Sequence, residues 1–359
     1  MPEKYQLISE NNNSTVVSDY VSPYQRATSY QSEAQLEQEL IKQLQAQAYE
    51  YLPIKSEADL TENLRTQLEK LNDYTFTDAE WKRFFAERIA NGNEDITDKT
   101  FKIQEDSTQL LQRDNGEVIN IRLLDKTNIH KNCLQVINQY EVSGARDNRY
   151  DVTLLVNGLP LVHIELKRRG VPLQEAFNQI NRYQRDSFWA GSGLFEYIQL
   201  FVISNGTHTK YYSNTTRWQH INEAGKSDSR RSKKTSNSFE FTSWWADANN
   251  RPITDLIDFT ATFLSKHTLL NVLTKYCVFT SDKLLLVMRP YQIVATERIL
   301  NRIQIATNYK KLGTIEAGGY VWHTTGSGKT LTSFKTAQLA SKLDYIDKVL
   351  FVVDRKDLD

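Results

Sequence analysis

Cysteine is almost missing from this 359-residue sequence: the two present, Cys133 and Cys277, lie far apart. Neither has partner spacing, which argues against a disulfide framework and against a cysteine zinc site. The six histidines are scattered as well. Net charge is also missing. The formal charge is zero although 25% of residues are charged, so no global basic field exists and any nucleic-acid surface has to be a local patch. No signal peptide and no long apolar run are found, so the expectation is a soluble, cytoplasmic chain with no membrane partner. No internal repeat is found. The length points to two domains.

What is present centres on residues 150–170, Tyr-Asp-Val-Thr-Leu-Leu-Val-Asn-Gly-Leu-Pro-Leu-Val-His-Ile-Glu-Leu-Lys-Arg-Arg-Gly. Two apolar runs flank the turn signal Asn157-Gly158, which predicts a hairpin. Along the second strand Val162, Ile164 and Leu166 share one side, and Leu161, His163, Glu165 and Lys167 the other. Asp151 opens the first strand and can add a second carboxylate. An Asp, a Glu and a Lys in one place suit metal-assisted phosphodiester hydrolysis. Asp151 and Glu165 would hold Mg²⁺ as hard oxygen ligands, and Lys167 would orient the nucleophile or stabilise phosphate oxygens. The competing reading is a surface ion pair. The apolar surroundings weigh against it, because buried unpaired charge is costly unless it serves chemistry. A clean two-residue turn would set Asp151 opposite Ile164, facing away from Glu165. The chemistry therefore requires one extra residue in the hairpin between Val156 and Val162, near Pro160, which cannot donate to the ladder.

Asp151 followed by Glu165-Leu166-Lys167 resembles the PD-(D/E)xK nuclease signature, with Tyr150 where that signature has proline. Gln179 and Tyr183 have a spacing similar to the extra motif of the nucleases in the restriction (R) subunit of type I restriction–modification enzymes and of the related RecB-like group. At i and i+4 they share a helix face. There they would position DNA or the active site, with Arg182 and Arg185 able to meet phosphates. The other reading of this helix is an ordinary core stripe of Phe177, Ile180 and Tyr183. The resemblance also implies an acid on the first core helix. Ser32 and Gln35 form a capping box before a helix carrying Leu36, Leu40 and Leu44, and Glu33 or Glu37 fits that role. A carboxylate favoured by the helix dipole is the alternative.

Elsewhere, residues 1–29 read as loosely ordered. Residues 57–92 read as helical, with Leu64, Leu68, Leu71, Trp81, Phe84, Phe85 and Ile89 buried. Strands are expected from Gln109 to Val142 with a turn at Asn115-Gly116, and again from Ile198 to Ile203, followed by the Asn205-Gly206 turn. The basic, serine-rich run at 222–238 reads as a surface loop.

A second chemical region follows. Gly319-Tyr320-Val321-Trp322 reads as a strand that leads into His323-Thr324-Thr325-Gly326-Ser327-Gly328-Lys329-Thr330 and a helix. This is a P-loop. The backbone from Thr325 through Ser327 to Gly328, with Gly326 among them, would cradle the phosphates of ATP. Lys329 would reach the β/γ oxygens and Thr330 would hold Mg²⁺. With His323 in the first position it resembles motif I of superfamily 2 helicases. Gln292, within Arg-Pro-Tyr-Gln, is placed like the adenine-reading glutamine of those motors. Residues 349–359 look like motif Ia, a buried parallel strand. A motif II acid and an arginine finger are not found in these residues, so the expectation is ATP binding without DNA-stimulated hydrolysis.

The expected architecture is α/β: a PD-(D/E)xK nuclease fold over 30–258, a mixed sheet flanked by helices, then the opening of a RecA-like parallel domain over 259–359. In that order the chain resembles the N-terminal portion of a type I restriction enzyme R subunit. The resemblance implies ATP-dependent translocation and cleavage of duplex DNA alongside modification and specificity subunits. Two alternatives stand beside it: a motor piece whose nuclease-like domain only binds DNA, and a single-chain nuclease–motor–methyltransferase.

Overall fold

The computed structural model describes residues 14–24, 31–143, 147–215 and 238–352. They fall into two compact units. The larger comprises Val21–Trp245 and Pro252–Val287, and the smaller draws its described residues from Met1–Tyr20, Ala246–Arg251 and Met288–Asp359. Residues 259–287 therefore pack within the larger unit, past the boundary at 258 read from the sequence.

In the larger unit, helix α1 (Glu33–Ala46) starts where the capping box places it. Gln35 N–H donates to Ser32 Oγ at 3.3 Å, Ser32 N–H donates to Gln35 Oε1 at 2.9 Å, and Leu36, Leu40 and Leu44 are buried. The short strand β1 (Glu50–Tyr51) precedes α2 (Glu57–Asn72), which stops at left-handed Asp73. Helix α3 (Asp78–Phe84) then runs into a π turn through Ile89. Helix α4 (Ile96–Gln104) has no counterpart in the sequence reading. Its signal is Asp95, whose carboxylate accepts from the N–H groups of Thr97 and Asp98.

Strands β2 (Thr108–Gln112) and β3 (Val118–Arg122) turn near Gly116 as expected but form a separate two-stranded ladder. The main sheet is built from β1 with β4 (Leu134–Ser143), β5 (Asp147–Val156), β6 (Leu159–Leu166), β7 (Leu200–Ser204) and β8 (Thr209–Ser213), in the order β1-β4-β5-β6-β7-β8. It is mixed: β1 with β4 and β6 with β7 are parallel, the other pairs antiparallel. Every residue of β6 is buried, as a central strand requires. Helix α5 (Leu173–Asp186) crosses from β6 to β7.

The β5–β6 hairpin turns on Asn157 and Gly158, at φ +51° and +82°. Gly158 is needed twice over, because a Cβ there would lie 2.6 Å from Leu64 Cα of α2. Pairing starts at Val156↔Leu159 and Leu155↔Pro160, then shifts to Leu154↔Val162. Leu161 is the extra residue that the chemistry called for, next to Pro160.

The smaller unit holds helices Pro290–Asn308 and Lys329–Ala340, which pack together. Thr15, Val16 and Val17 are buried in it, so this part of 1–29 is not loose: Thr15 N–H donates to the Glu297 carboxylate at 3.0 Å. The parallel sheet expected here is not formed among the described residues. Residues 319–322 and 349–352 join no ladder, and Trp322 and Leu350 are 88% and 86% exposed. A parallel strand exists only through a neighbour's main chain, and no described strand lies alongside either segment. The run at 222–237 and residues 353–359 lie outside the described residues.

Candidate active site

The bulge at Leu161 decides which side chains meet. Beyond it the register runs Thr153↔His163 and Val152↔Ile164. One step further sets Asp151 beside Glu165, on one face of the sheet. Regular pairing ends there, and a side chain takes over: Leu166 N–H donates to Asp151 Oδ2 at 2.9 Å. Lys167 then folds back, its Nζ donating to Glu165 Oε1 and to the Leu166 carbonyl, each at 3.1 Å.

Burial dominates the electrostatics. Glu165 is completely buried, and its carboxyl is pushed up to about 7 by desolvation, with Lys167 and a hydrogen bond to Asp151 opposing and nearby Glu33 adding to the rise. Asp151 is pushed up to about 8, first by burial and then by the Glu165 charge, against the pull of the Leu166 N–H, Lys167 and His163. Two acids raised together in one site are short of positive charge. Among the described residues no three His, Cys, Asp or Glu side chains group as metal ligands. Two carboxylates with water completing the shell is, however, the donor set a magnesium ion accepts. The residues fit Mg²⁺ in that sense.

His163 shares the strand side of Glu165 and Lys167 but was not singled out as a site residue. It is fully buried beneath Glu165. Its Nε2 lies 3.4 Å from Glu165 Oε2, its Nδ1 3.2 Å from Thr153 Oγ1, and rings of Tyr150, Tyr183, Phe188 and Phe201 surround it. Burial lowers it to about 4, so the ring is neutral and its contact with Glu165 is a hydrogen bond instead of an ion pair.

On α5, Gln179 donates its amide to the Tyr183 hydroxyl, which donates to the Arg149 carbonyl at 2.9 Å. The core stripe of this helix is present, with Phe177, Ile180 and Tyr183 buried, and the Tyr183 hydroxyl bonds β5 two residues before Asp151. Burial raises the Tyr183 phenol, with the Glu165 charge adding to the rise. Arg185 is paired with its neighbour Asp186 at 2.6 Å, and the Arg182 guanidinium lies over the Tyr183 ring.

The two candidate acids of α1 part company. Glu33 is exposed, accepts the Arg168 N–H at 3.3 Å and lies close enough to act on Glu165. Glu37 is buried and spends its carboxylate on the side-chain amides of Asn138 and Gln139.

In the smaller unit the loop Thr325–Gly328 leads into helix Lys329–Ala340, with Gly326 and Gly328 left-handed at φ +78° and +77°. Ser327 Oγ donates to the Thr324 carbonyl, and Thr330 is exposed on the first turn. Lys329 Nζ donates to the His323 and Thr324 carbonyls at 3.4 and 3.2 Å. Gln292 is buried against this loop. Its Oε1 accepts Arg289 N–H at 2.8 Å, and its Nε2 donates to the Ser327 and Gly328 carbonyls at 3.0 and 3.3 Å.

Together these features define a mixed α/β domain with a buried carboxylate–lysine cluster, followed in the chain by a glycine-containing loop that opens a helix. The family described as type I restriction enzyme R protein N terminus matches residues 30–220, and the SWI2/SNF2 ATPase family matches 291–359. The Escherichia coli type I restriction enzyme EcoprrI endonuclease subunit is 49% identical over 85% of this chain and 93% of that protein. The SsaAORF53P endonuclease subunit of Staphylococcus saprophyticus is 40% identical over 92% of this chain, which spans only 32% of that relative's length. A Mycoplasma pneumoniae protein named as the C-terminal part of the putative MpnIIP endonuclease subunit is 59% identical over 116 residues. The chain belongs to the family of type I restriction enzyme R proteins, as their N-terminal portion.

Proposed function

We propose that the larger unit is a PD-(D/E)xK nuclease domain that cleaves duplex DNA with Mg²⁺, within an ATP-dependent restriction enzyme that also contains modification and specificity subunits. The observation that carries this reading is the meeting of Asp151, Glu165 and Lys167 where pairing between two buried strands stops. Asp151 and Glu165 hold the cation. When bound, Mg²⁺ lowers the pKa of a coordinated water and neutralises phosphate charge. Lys167, anchored on Glu165 Oε1 and the Leu166 carbonyl, keeps its ammionium at the site, where it orients the attacking water and stabilises phosphate oxygens. His163 meets Glu165 on Oε2, the carboxylate oxygen that Lys167 does not use. Glu33 stands at the rim. Gln179 and Tyr183 position β5 and the DNA backbone beside it without binding metal.

The smaller unit supplies the start of the motor. The loop through Thr325, Gly326, Ser327 and Gly328 cradles ATP phosphates, Lys329 and Thr330 serve the triphosphate and its Mg²⁺, and Gln292 recognises adenine or holds this phosphate loop in place. The relatives' names fit an endonuclease subunit better than a DNA-binding module. The test is cleavage of covalently closed duplex DNA by the assembled enzyme with ATP, comparing Mg²⁺ with chelator and wild type with Asp151→Ala. Equal cleavage by the Asp151→Ala enzyme would refute the proposal.

A further inference from the structure

Strand β5 parts from both neighbours at Asp151, and the β4 side of that gap is built by residues outside the carboxylate–lysine cluster. Pairing of β4 with β5 runs to Asn138↔Val152 and resumes at Tyr140↔Tyr150, passing over Gln139 and Asp151 with no residue inserted. Gln139 sits at φ +51°, a left-handed conformation that non-glycine residues keep only where their surroundings enforce it.

Two charged side chains grip the chain at this point. Glu37 of α1 takes the side-chain amide of Asn138 on Oε1 at 2.5 Å and that of Gln139 on Oε2. Lys55, just before α2, donates Nζ to the Asn138 carbonyl and, at 3.3 Å, to the Gln139 carbonyl. Successive carbonyls of a regular strand point to opposite edges. Here both reach one ammonium, which the left-handed turn of Gln139 makes possible.

We propose that Glu37 and Lys55 form a positioning clamp. By holding Gln139 left-handed they keep β4 from pairing at Asp151, and so set where the Asp151 carboxylate stands relative to Glu165. The clamp acts through Gln139 and touches neither metal nor DNA. It rests on the reading of Asp151 and Glu165 as the divalent-cation site.

The test separates the backbone conformation from the side chains that impose it. Glycine adopts positive φ freely, so Gln139→Gly carries the conformation without the clamp. Mn²⁺ affinity of the full chain without nucleotide is read by titration, and thermal unfolding reports the fold. Glu37→Ala should weaken Mn²⁺ binding about tenfold, within the range expected for strain of this kind. Adding Gln139→Gly should restore it to within about twofold, since glycine removes the need for the clamp. Gln139→Val keeps Glu37 and Lys55 but opposes the left-handed state, and should reproduce the Glu37→Ala loss. Unchanged binding in Glu37→Ala, or failure of glycine to restore it, overturns the clamp. Should Glu37→Ala not fold, equal affinities in Gln139→Gly and Gln139→Val would overturn it instead. Asp151→Ala controls the underlying site: if it binds Mn²⁺ like the wild type, the site reading falls and the clamp with it.

Discussion

Leu166 N–H donates to Asp151 Oδ2 at 2.9 Å, so a side chain joins β5 to β6 at the point where their ladder ends. The bond holds the Asp151 carboxyl beside that of Glu165. It also uses a main-chain donor that would otherwise be left open at a buried strand end.

Substitutions at the cluster should therefore separate by role. Asp151→Ala and Glu165→Ala remove proposed ligands and should lose both Mg²⁺ binding and cleavage, by about 10²-fold or more. Lys167→Ala should lose cleavage by a similar factor, since it removes an electrostatic partner worth about 10²–10³ in rate, yet retain cation affinity. Isothermal titration and a plasmid-cleavage assay read the two separately. A Lys167→Ala chain that cannot bind the cation would make Lys167 part of the metal site's support instead.

The raised acids make a pH prediction for the metal-free chain. Asp151 and Glu165 stand at about 8 and about 7 in the folded protein, against ordinary values of 3.8 and 4.5. The folded state thus keeps protons that the unfolded state has released. Their contribution to stability is full below about pH 4 and is lost as pH rises through 7 to 8. Acting as a pair, they titrate together. Glu165→Gln should flatten this loss and be more stable than wild type at pH 8 by on the order of 1–3 kcal/mol. Adding Mg²⁺ should recover wild-type stability there, with affinity rising as pH rises. Melting curves from pH 5 to 8 with chelator check this, and a wild type whose stability climbs over that range would contradict it.

The hairpin was legible because its signals are local. Asn157-Gly158 names the turn, period-two alternation names the strands, and the need to bring Asp151 to Glu165 demands the extra residue that the structure places at Leu161. His163 was visible on the same strand face, but a solitary histidine in an apolar strand gives no sign that it will lie beneath a carboxylate. Gln139 gave no signal at all, since its left-handed backbone is imposed by Glu37 and Lys55 from distant segments. Helix α4 was passed over, although Asp95 caps it in the usual way. In the smaller unit the apolar runs around 320 and 350 were read as strands, yet composition supplies no pairing partner.

Tyr183 tests how far β5 must be pinned. Removing its hydroxyl leaves the Arg149 carbonyl and the Gln179 amide without it, at a cost of about 1 kcal/mol. Tyr183→Phe should keep the fold and Mg²⁺ affinity and slow cleavage by about fivefold, the rate equivalent of that energy. Gln179→Ala should do less, because the Tyr183–Arg149 bond survives it. Global unfolding of Tyr183→Phe would show that the hydroxyl serves the core alone.

The glycine loop before helix Lys329–Ala340 gives the last test, because its contacts show what a nucleotide would have to displace. Lys329 Nζ rests on two loop carbonyls, His323 and Thr324, and must leave them to reach a phosphate. Those bonds are exposed and cost little to exchange, so Lys329→Ala should leave the melting curve unchanged while lowering ATP affinity about tenfold or more, as loss of a charged phosphate contact does. Gln292 is the opposite case. It is buried, with Nε2 on the Ser327 and Gly328 carbonyls and Oε1 on the Arg289 N–H. Gln292→Glu keeps the acceptor and turns the donor into an oxygen facing two carbonyl oxygens, a buried mismatch worth about 1–3 kcal/mol. It should lower both ATP affinity and the stability of the smaller unit. Gly328→Ala should act with it, since a Cβ there would stand 2.4 Å from Gln292 Nε2 at φ +77°. Nucleotide titration and thermal unfolding of the three variants decide the matter. If Gln292→Glu melts like the wild type and loses only its preference for adenine over guanine nucleotides, Gln292 reads the base and does not hold the loop.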